Sequence, residues 1–366
     1  MTFPMSLIRE DLAAFGGYSS ARTSFDGPPA TIWLNANEAS SANVADPDGR
    51  TRRYPQPQPD HLRTALSAYL GAGDEQLLLA RGSDEAIDVL IRTVCAPGGD
   101  HGIITCSPTF GMYAVSAAVH GVPAHDVPQH DTGTDFEHNL DAVASAVRAT
   151  GARIVFLASP GNPTGSVIDL YDVLALADEI ADVAMVVLDE AYVEFADEGS
   201  AIAAVAAHPT LAVLRTMSKA HGLAGARIGA LIAHPDLIAV LRRVQAPYPL
   251  PTPAVDVAIE ALRPASLADT TIRIDATVDL RDRLAKIVTQ ARGVTCVYDS
   301  QANFVLARTS TPDRLIDAVR HQGIAIRDMR HLPGLSDAVR ISVGTTEDLD
   351  ALALALDPLT PPERNS

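Results

Sequence analysis

Between about Gln76 and Ile232 the chain repeats one pattern: a short apolar run without alternation, then a stretch with helical spacing. The runs are "QLLLA" (76–80), "GIITC" (102–106), "RIVFLAS" (153–159), "AMVVLDE" (184–190), "LAVLRT" (211–216) and "GALIA" (229–233). A strand with one wet face alternates apolar and polar residues. Most of these do not, so they read as strands buried on both faces, as in a parallel sheet. The stretches between them include "SDEAIDVLIRTVC" (83–95), opened by Ser and Asp as helices often are, and "TFGMYAVSAAVHG" (109–121). Strands alternating with helices predict an α/β fold with a mostly parallel, doubly wound sheet.

The Pro-rich "APYPLPTP" (246–253) breaks the pattern. Beyond it the sequence predicts a long helix at roughly 270–292 and strands near 294–298 and 302–306. A helix near 313–322, strands near 324–327 and 338–343 and a terminal helix follow. This reads as a smaller α+β domain. The expected division is an irregular N-terminal arm over 1–50 that also joins the small domain, a large α/β domain over 51–247, and a small domain over 248–366. The tail "PPERNS" is expected to fray.

A length of 366 residues with 47% hydrophobic content suits one large or two ordinary domains. The formal net charge of −17 argues against nucleic acid and anionic membrane as partners, since both need a basic face. The three cysteines form no CxxC pair, so neither a zinc ribbon nor a disulfide scaffold is indicated. No metal is expected. "MTFPMSLIRE" lacks a basic stretch followed by an apolar one, and no apolar run approaches the ~18 residues of a membrane span. A cytoplasmic protein is the expectation.

In open α/β sheets, sites form outside the carboxyl ends of the strands. After 76–80 comes "RGSDEA", where Gly82 permits a tight turn and Ser83 and Asp84 open a helix whose free N–H groups suit a phosphate. An ordinary helix cap accounts for the same letters. After 153–159 comes "PGNPTG", which is turn chemistry around Asn162. After "VVL" come Asp189, Glu190 and Tyr192, an acid and a phenol in a position to cap a helix or to do a task. After 211–215 come Thr216, Ser218 and Lys219. The chain has only two lysines, Lys219 and Lys286, and uses arginine elsewhere. Lys286 lies in an amphipathic helix where arginine would serve as well. Lys219 is different, because a guanidinium is no usable amine nucleophile. Lysine forms covalent bonds with carbonyl cofactors, and an acid facing a pyridine nitrogen is the expected companion in pyridoxal phosphate chemistry.

These residues carry a family resemblance. The chain resembles the fold-type I, pyridoxal-phosphate-dependent aminotransferases, and within them the histidinol-phosphate group. The likeness runs almost end to end through "YSSAR" (18–22), "WLNANE" (33–38), "RRYPQPQ" (52–58), "RGSDEAIDVLIR" (81–92), "SPTFGMY" (107–113), "SPGNPTG" (159–165), "LDEAYVEF" (188–195), "LRTMSKAHGLAGARIG" (214–229), "APYPLPTP" (246–253), "GIAIRD" (323–328) and "VRISVGT" (339–345). It implies pyridoxal 5'-phosphate as cofactor, with Lys219, Asp189 and Tyr192 in the catalytic centre. Lys219 would bond the cofactor, Asp189 would face its pyridine nitrogen, and Asn162 and Tyr192 would hold its phenolate oxygen. Phe110, where many relatives carry Tyr, would stack on the ring. Ser83, Asp84, Ser218 and Arg227 would hold the phosphate. Tyr54 would reach the cofactor of a second subunit in a homodimer with shared sites. Arg327 and Arg340 would bind the substrate's anionic end, and Tyr18 and Asn35 would close over it. The expected reaction exchanges an amino group between L-histidinol phosphate and 2-oxoglutarate. A related aminotransferase for aromatic or unusual amino acids, a phosphothreonine-type decarboxylase and a non-catalytic regulator remain alternatives at this point.

Overall fold

A computed structural model describes residues 2–19 and 30–357. Ser20, Ala21 and Arg22 of "YSSAR", and the tail "PPERNS", lie outside the described residues. The chain forms strands β1 (Leu77–Ala80), β2 (Ile103–Thr105), β3 (Ala124–Asp126), β4 (His130–Asp131), β5 (Phe136–Glu137), β6 (Ile154–Ala158), β7 (Met185–Asp189), β8 (Leu211–Thr216) and β9 (Gly229–Ile232). Then follow β10 (Val294–Val297), β11 (Phe304–Thr309), β12 (Arg327–Asp328) and β13 (Ala338–Ser342). A seven-stranded sheet has the order β1-β9-β8-β7-β6-β2-β3. Its central strands are buried along their whole length, which is why their sequences show no alternation.

Strand β9 is the exception to the parallel arrangement. It pairs antiparallel with both β8 and β1. Because β9 opposes both neighbours, β1 and β8 run the same way. Their carboxyl ends therefore share one rim with those of β6 and β7. Across that rim the register aligns Ala80 with Gly229 and Gly229 with Thr216. Two apolar clusters cover the sheet, one on each face. Leu77, Val155, Val186 and Val213 contribute to one face, and Leu78, Phe156, Val187 and Ala212 to the other. Alternate residues of single strands thus feed opposite cores.

Gly229 is required by packing. A Cβ there would lie 2.5 Å from the backbone carbonyl carbon of Gly82, where no flexible side chain can give way. Gly229→Ala should lower the unfolding free energy by about 1–3 kcal/mol, the usual range for overpacking. Urea titration of the two proteins checks this.

The second sheet is antiparallel, with order β10-β11-β13-β12 and its own core around Leu284, Val305, Leu315 and Leu352. Several expectations shift here. The long helix starts earlier, at Pro264, whose missing N–H costs nothing in a first turn, and it ends at Gln290. The strand expected near 324–327 is only Arg327–Asp328. Phe3, Leu7 and Ile8 of the N-terminal arm pack into the core of the large sheet rather than the small one. Leu250, Val255 and Ala258 also belong to the large sheet's core, so packing crosses the expected boundary at 247. Among the described residues, no helix is long and apolar enough to cross a membrane.

Candidate active site

Loops at the rim of β1, β6, β7 and β8 enclose a cavity of about 150 Å³. Nine of the residues expected from sequence line it: Ser83, Asp84, Phe110, Asn162, Asp189, Tyr192, Ser218, Lys219 and Arg227. A larger cavity of about 730 Å³ lies elsewhere, between His138 and Glu179, and shares no residue with this one. It holds no lysine, and its charged lining is acidic, so size alone does not identify the site.

Asp189 closes the floor. Its position at the end of β7 follows from the buried run before it, which carries the carboxylate to the rim with only 5% of its surface exposed. The Tyr113 hydroxyl donates to its Oδ2 at 2.7 Å, and the Ala191 N–H donates to Oδ1 at 3.1 Å. Burial pushes its pKa up to about 6, against the pull of Tyr113, Ala191 and Lys219. Burial likewise raises the Tyr113 phenol well above its ordinary value.

The Lys219 amine lies 5.4 Å from the centre of the Tyr192 ring. It makes no hydrogen bond or ion pair among the described residues. By surface area the residue is exposed, yet the protein around it lowers its pKa, first by burial and then through the Arg340 guanidinium. The two observations describe an amine at the mouth of a pocket. Tyr192 is buried, and burial pushes its phenol up to about 12. The Asn162 amide nitrogen donates to Tyr192 Oη at 3.5 Å, and its carbonyl oxygen accepts from Arg340 Nη1. The Arg340 guanidinium also sits 5.0 Å from the centre of the Phe304 ring.

The end of the cavity beside the helix Gly82–Val94 has a different chemistry. The helix Gly82–Val94 has no side-chain cap at its start, which leaves first-turn N–H groups for a ligand. Arg227 is held at φ 56, a left-handed conformation. Its Nη2 donates to Asp84 Oδ2 at 2.9 Å and its Nη1 to Ala224 O at 3.1 Å. Gly82 makes room for it, because a Cβ there would lie 2.6 Å from Arg227 Nη2. Thr216 Oγ1 donates to Ser218 Oγ at 2.9 Å and accepts from the Ser218 N–H at 3.1 Å. The cradle is thus built from helix N–H groups, a hydroxyl and a guanidinium.

Two residues at the pocket were given no role from the sequence. Tyr113 lies within "SPTFGMY" and Thr216 within "LRTMSK". Tyr113 reads as an ordinary core aromatic, and only its hydroxyl distinguishes it. Other expected residues are not brought to the cavity. Tyr18 lines a separate cavity with Arg242 and Arg243, because Gly17 packs against the backbone of Arg243. Asn35 is exposed and is not part of the pocket lining. Tyr54 stacks on Tyr248 at 4.6 Å between ring centres, also away from the pocket. Arg327 is exposed and stands opposite Arg340 in the β12–β13 register. Asp328 does not neutralise it, because the Arg330 guanidinium grips both oxygens of that carboxylate.

Residues 22–356 match the family described as aminotransferase class I and II. A histidinol-phosphate aminotransferase of Stenotrophomonas maltophilia (strain R551-3) is 48% identical over 352 residues, 96% of this chain and 96% of that one. One from Xanthomonas euvesicatoria pv. vesicatoria (strain 85-10) has the same identity and coverage. Among solved structures, histidinol-phosphate aminotransferase from Sinorhizobium meliloti in complex with pyridoxal-5'-phosphate is similar, with a TM-score of 0.76 and 26% identity over 95% of this chain and 98% of that one. L-threonine-O-3-phosphate decarboxylase from Porphyromonas gingivalis, at a TM-score of 0.71 and 21% identity over 85% of this chain and 91% of that one, shares the fold alone.

Proposed function

The chain belongs to the class I and II aminotransferases, and from that premise we propose that it is a pyridoxal-phosphate-dependent transaminase acting on L-histidinol phosphate and 2-oxoglutarate. The products are imidazole acetol phosphate and L-glutamate, and in biosynthesis glutamate is the donor. The observation that carries the substrate is 48% identity over 96% of both chains with histidinol-phosphate aminotransferases. No comparable observation favours a decarboxylase or an aminotransferase of specialised metabolism.

The pocket's donor set fits the cofactor. The uncapped helix start, Ser83, Asp84, Ser218 and Arg227 suit its phosphate, and the buried Asp189 suits a ring cation. When bound, pyridoxal phosphate supplies an electron sink for the carbon that bears the substrate's amine. The chain's residues do the rest. Lys219 would hold the cofactor through its amine, and the same amine would accept the proton from that carbon. Its lowered pKa favours the neutral, proton-accepting form. Asp189 holds a cation opposite its carboxylate, and Tyr113 and Ala191 fix the direction in which that carboxylate points. Asn162 and Tyr192 hold the ring's oxygen, and Phe110 covers the ring face. Tyr54 serves a second copy's site, which makes the working unit a homodimer in the cytoplasm. Tyr18 and Asn35, which stand away from the pocket in the single chain, close over substrate.

Arg327 and Arg340 form the anion clamp at the substrate's far end. Histidinol phosphate places a phosphate where glutamate places a carboxylate. Two guanidinium groups suit a dianion, because each offers a bidentate fork. Arg327→Gln should lower kcat/KM for histidinol phosphate by roughly 10–100-fold, the equivalent of a charge-assisted bond of ~1.5–3 kcal/mol. The loss for glutamate should be smaller. Steady-state kinetics with both substrates reads the difference, and wild-type enzyme that ignores histidinol phosphate sinks the assignment.

A further inference from the structure

On the far side of Thr216 from the cofactor pocket lies a buried charge cluster that the proposed chemistry does not use. Arg215, 8% exposed, donates from Nη2 to Glu194 Oε1 at 2.6 Å. Its Nη1 stands 3.6 Å from Glu190 Oε2 and donates to Ser200 Oγ at 3.4 Å. Glu190 in turn accepts from Ser200 Oγ and, at 2.6 Å, from the Ala201 N–H. Burying charges is costly unless they are paired and hydrogen-bonded, so an ionic triad at this depth calls for a reason.

The placement supplies one. Each cluster member lies within four residues of the catalytic centre in sequence. Glu190 follows Asp189 directly, Glu194 is two residues beyond Tyr192, and Arg215 is four residues before Lys219. One guanidinium therefore ties the ends of β7 and β8 together, with the loops that carry the acid, the phenol and the lysine. His221, two residues after Lys219, packs edge-on against Tyr69 with ring centres 5.3 Å apart. Arg215, Glu194 and His221 also line a cavity of about 10 Å³. Three polar atoms of these residues, Arg215 Nε, Glu194 Oε2 and His221 Nδ1, have no protein partner among the described residues. That volume and those three groups suit one buried water. Thr216 lines both this cavity and the cofactor pocket, so a single residue separates them.

We propose that Arg215 is a positioning residue: with Glu190, Glu194, His221 and one ordered water it fixes the Lys219 loop against the strand that carries Asp189. Burial opposes the charge of Arg215, but the two glutamates outweigh it and keep the guanidinium protonated. Burial also holds His221 toward its neutral form, which leaves it a hydrogen-bonding partner and not a second cation. The proposal rests on the reading of Lys219 as the cofactor lysine.

The test uses mild variants that keep most of the packing, Arg215→Lys and Glu194→Gln. The first keeps the charge and loses the fork, and the second keeps the shape and loses one carboxylate. Because the chain has only two lysines, competitive acetylation of the cofactor-free protein across pH, read by mass spectrometry, compares Lys219 with Lys286 as an internal reference. The expected result is that both variants fold, with unchanged far-ultraviolet dichroism. The Lys219 to Lys286 labelling ratio shifts to higher pH as the amine leaves its crowded place. In the loaded enzyme kcat falls by up to ~10²-fold with KM changed much less, the effect of a displaced reacting group. A lowered melting temperature with the labelling profile and kcat unchanged makes the cluster structural only and overturns the proposal. Failure of either variant to fold does the same. Borohydride reduction of the loaded wild-type protein is run beside it. Trapping at Lys286, or none, refutes the reading of Lys219 itself, whereas trapping at Lys219 with insensitive variants refutes only the role of Arg215.

Discussion

Lys219→Arg folds as the wild type does but turns over at least ~10²–10⁴-fold more slowly, the range lost when a positioned proton-transfer group is removed. The loss is expected to exceed that range, because on the proposed reading the same amine also bonds the cofactor. Folding is spared because Lys219 stands at the pocket mouth and makes no hydrogen bond or ion pair among the described residues. Arginine keeps a cation there but offers no amine nucleophile. Two measurements read the outcome. Borohydride reduction and peptide mapping of the wild type place the cofactor on Lys219, and the variant gives no covalent label. A label on Lys286 of either protein, or near-normal turnover in the variant, would sink the assignment.

Asp189→Asn is expected to move activity and stability in opposite directions. The amide keeps both contacts of the carboxylate, accepting from Ala191 and donating to Tyr113, so the pocket keeps its shape. It cannot hold a ring cation. Turnover should fall by roughly 10²–10³-fold, the size of effect seen when one preorganised electrostatic group is removed from an active site, while cofactor is retained. In the cofactor-free protein the sign reverses. The pKa of Asp189 is raised from 3.8 to about 6 by burial, so the fold prefers its protonated form. That preference stabilises the protein fully below pH ~4 and is lost as pH rises through about 6. At pH 8 the buried carboxylate therefore costs the wild type up to about 3 kcal/mol that the amide does not. Cofactor-free Asp189→Asn should be the more stable protein at pH 8, with the difference fading toward pH 4. Denaturant unfolding at the two pH values checks this, and equal stability at pH 8 would refute the environment described for Asp189.

The two residues differ in how far the sequence revealed them. Lys219 is conspicuous by composition, since the chain otherwise uses arginine. Asp189 is conspicuous by position, a charge at the end of a buried run. Six strands of the seven-stranded sheet were legible for a similar reason, because runs such as β6, β7 and β8 are apolar on both faces. Strand β3 was not, since its "AHD" is mostly exposed at the sheet edge and carries no apolar signal. The direction of β9 was hidden too. "GALI" is as buried as its parallel neighbours, and its reversal is set by the hairpin-like return from β8 rather than by its own residues. Arg215 sits in plain view in "LRT", but nothing local shows that its partners lie 21 and 25 residues upstream. Tyr18 and Asn35 are legible only through motif resemblance, which assigns them to the substrate. In the single chain Tyr18 lines a separate cavity with Arg242 and Arg243, and Asn35 is exposed.

The reversed strand β9 has a consequence for how such a protein can change. It docks the start of the helix Gly82–Val94 directly onto the strand pair that carries Lys219, through the contact of Gly82 with Gly229. The helix start and the loop that carries Lys219 are therefore packed as one block. Arg327 and Arg340 hang instead on the four-stranded sheet, whose core around Val305 and Leu315 is separate, and Arg340 reaches the pocket at Asn162 in the loop after β6. On the proposed reading, a substitution in the smaller sheet can therefore alter the anion clamp without disturbing the packing around Lys219.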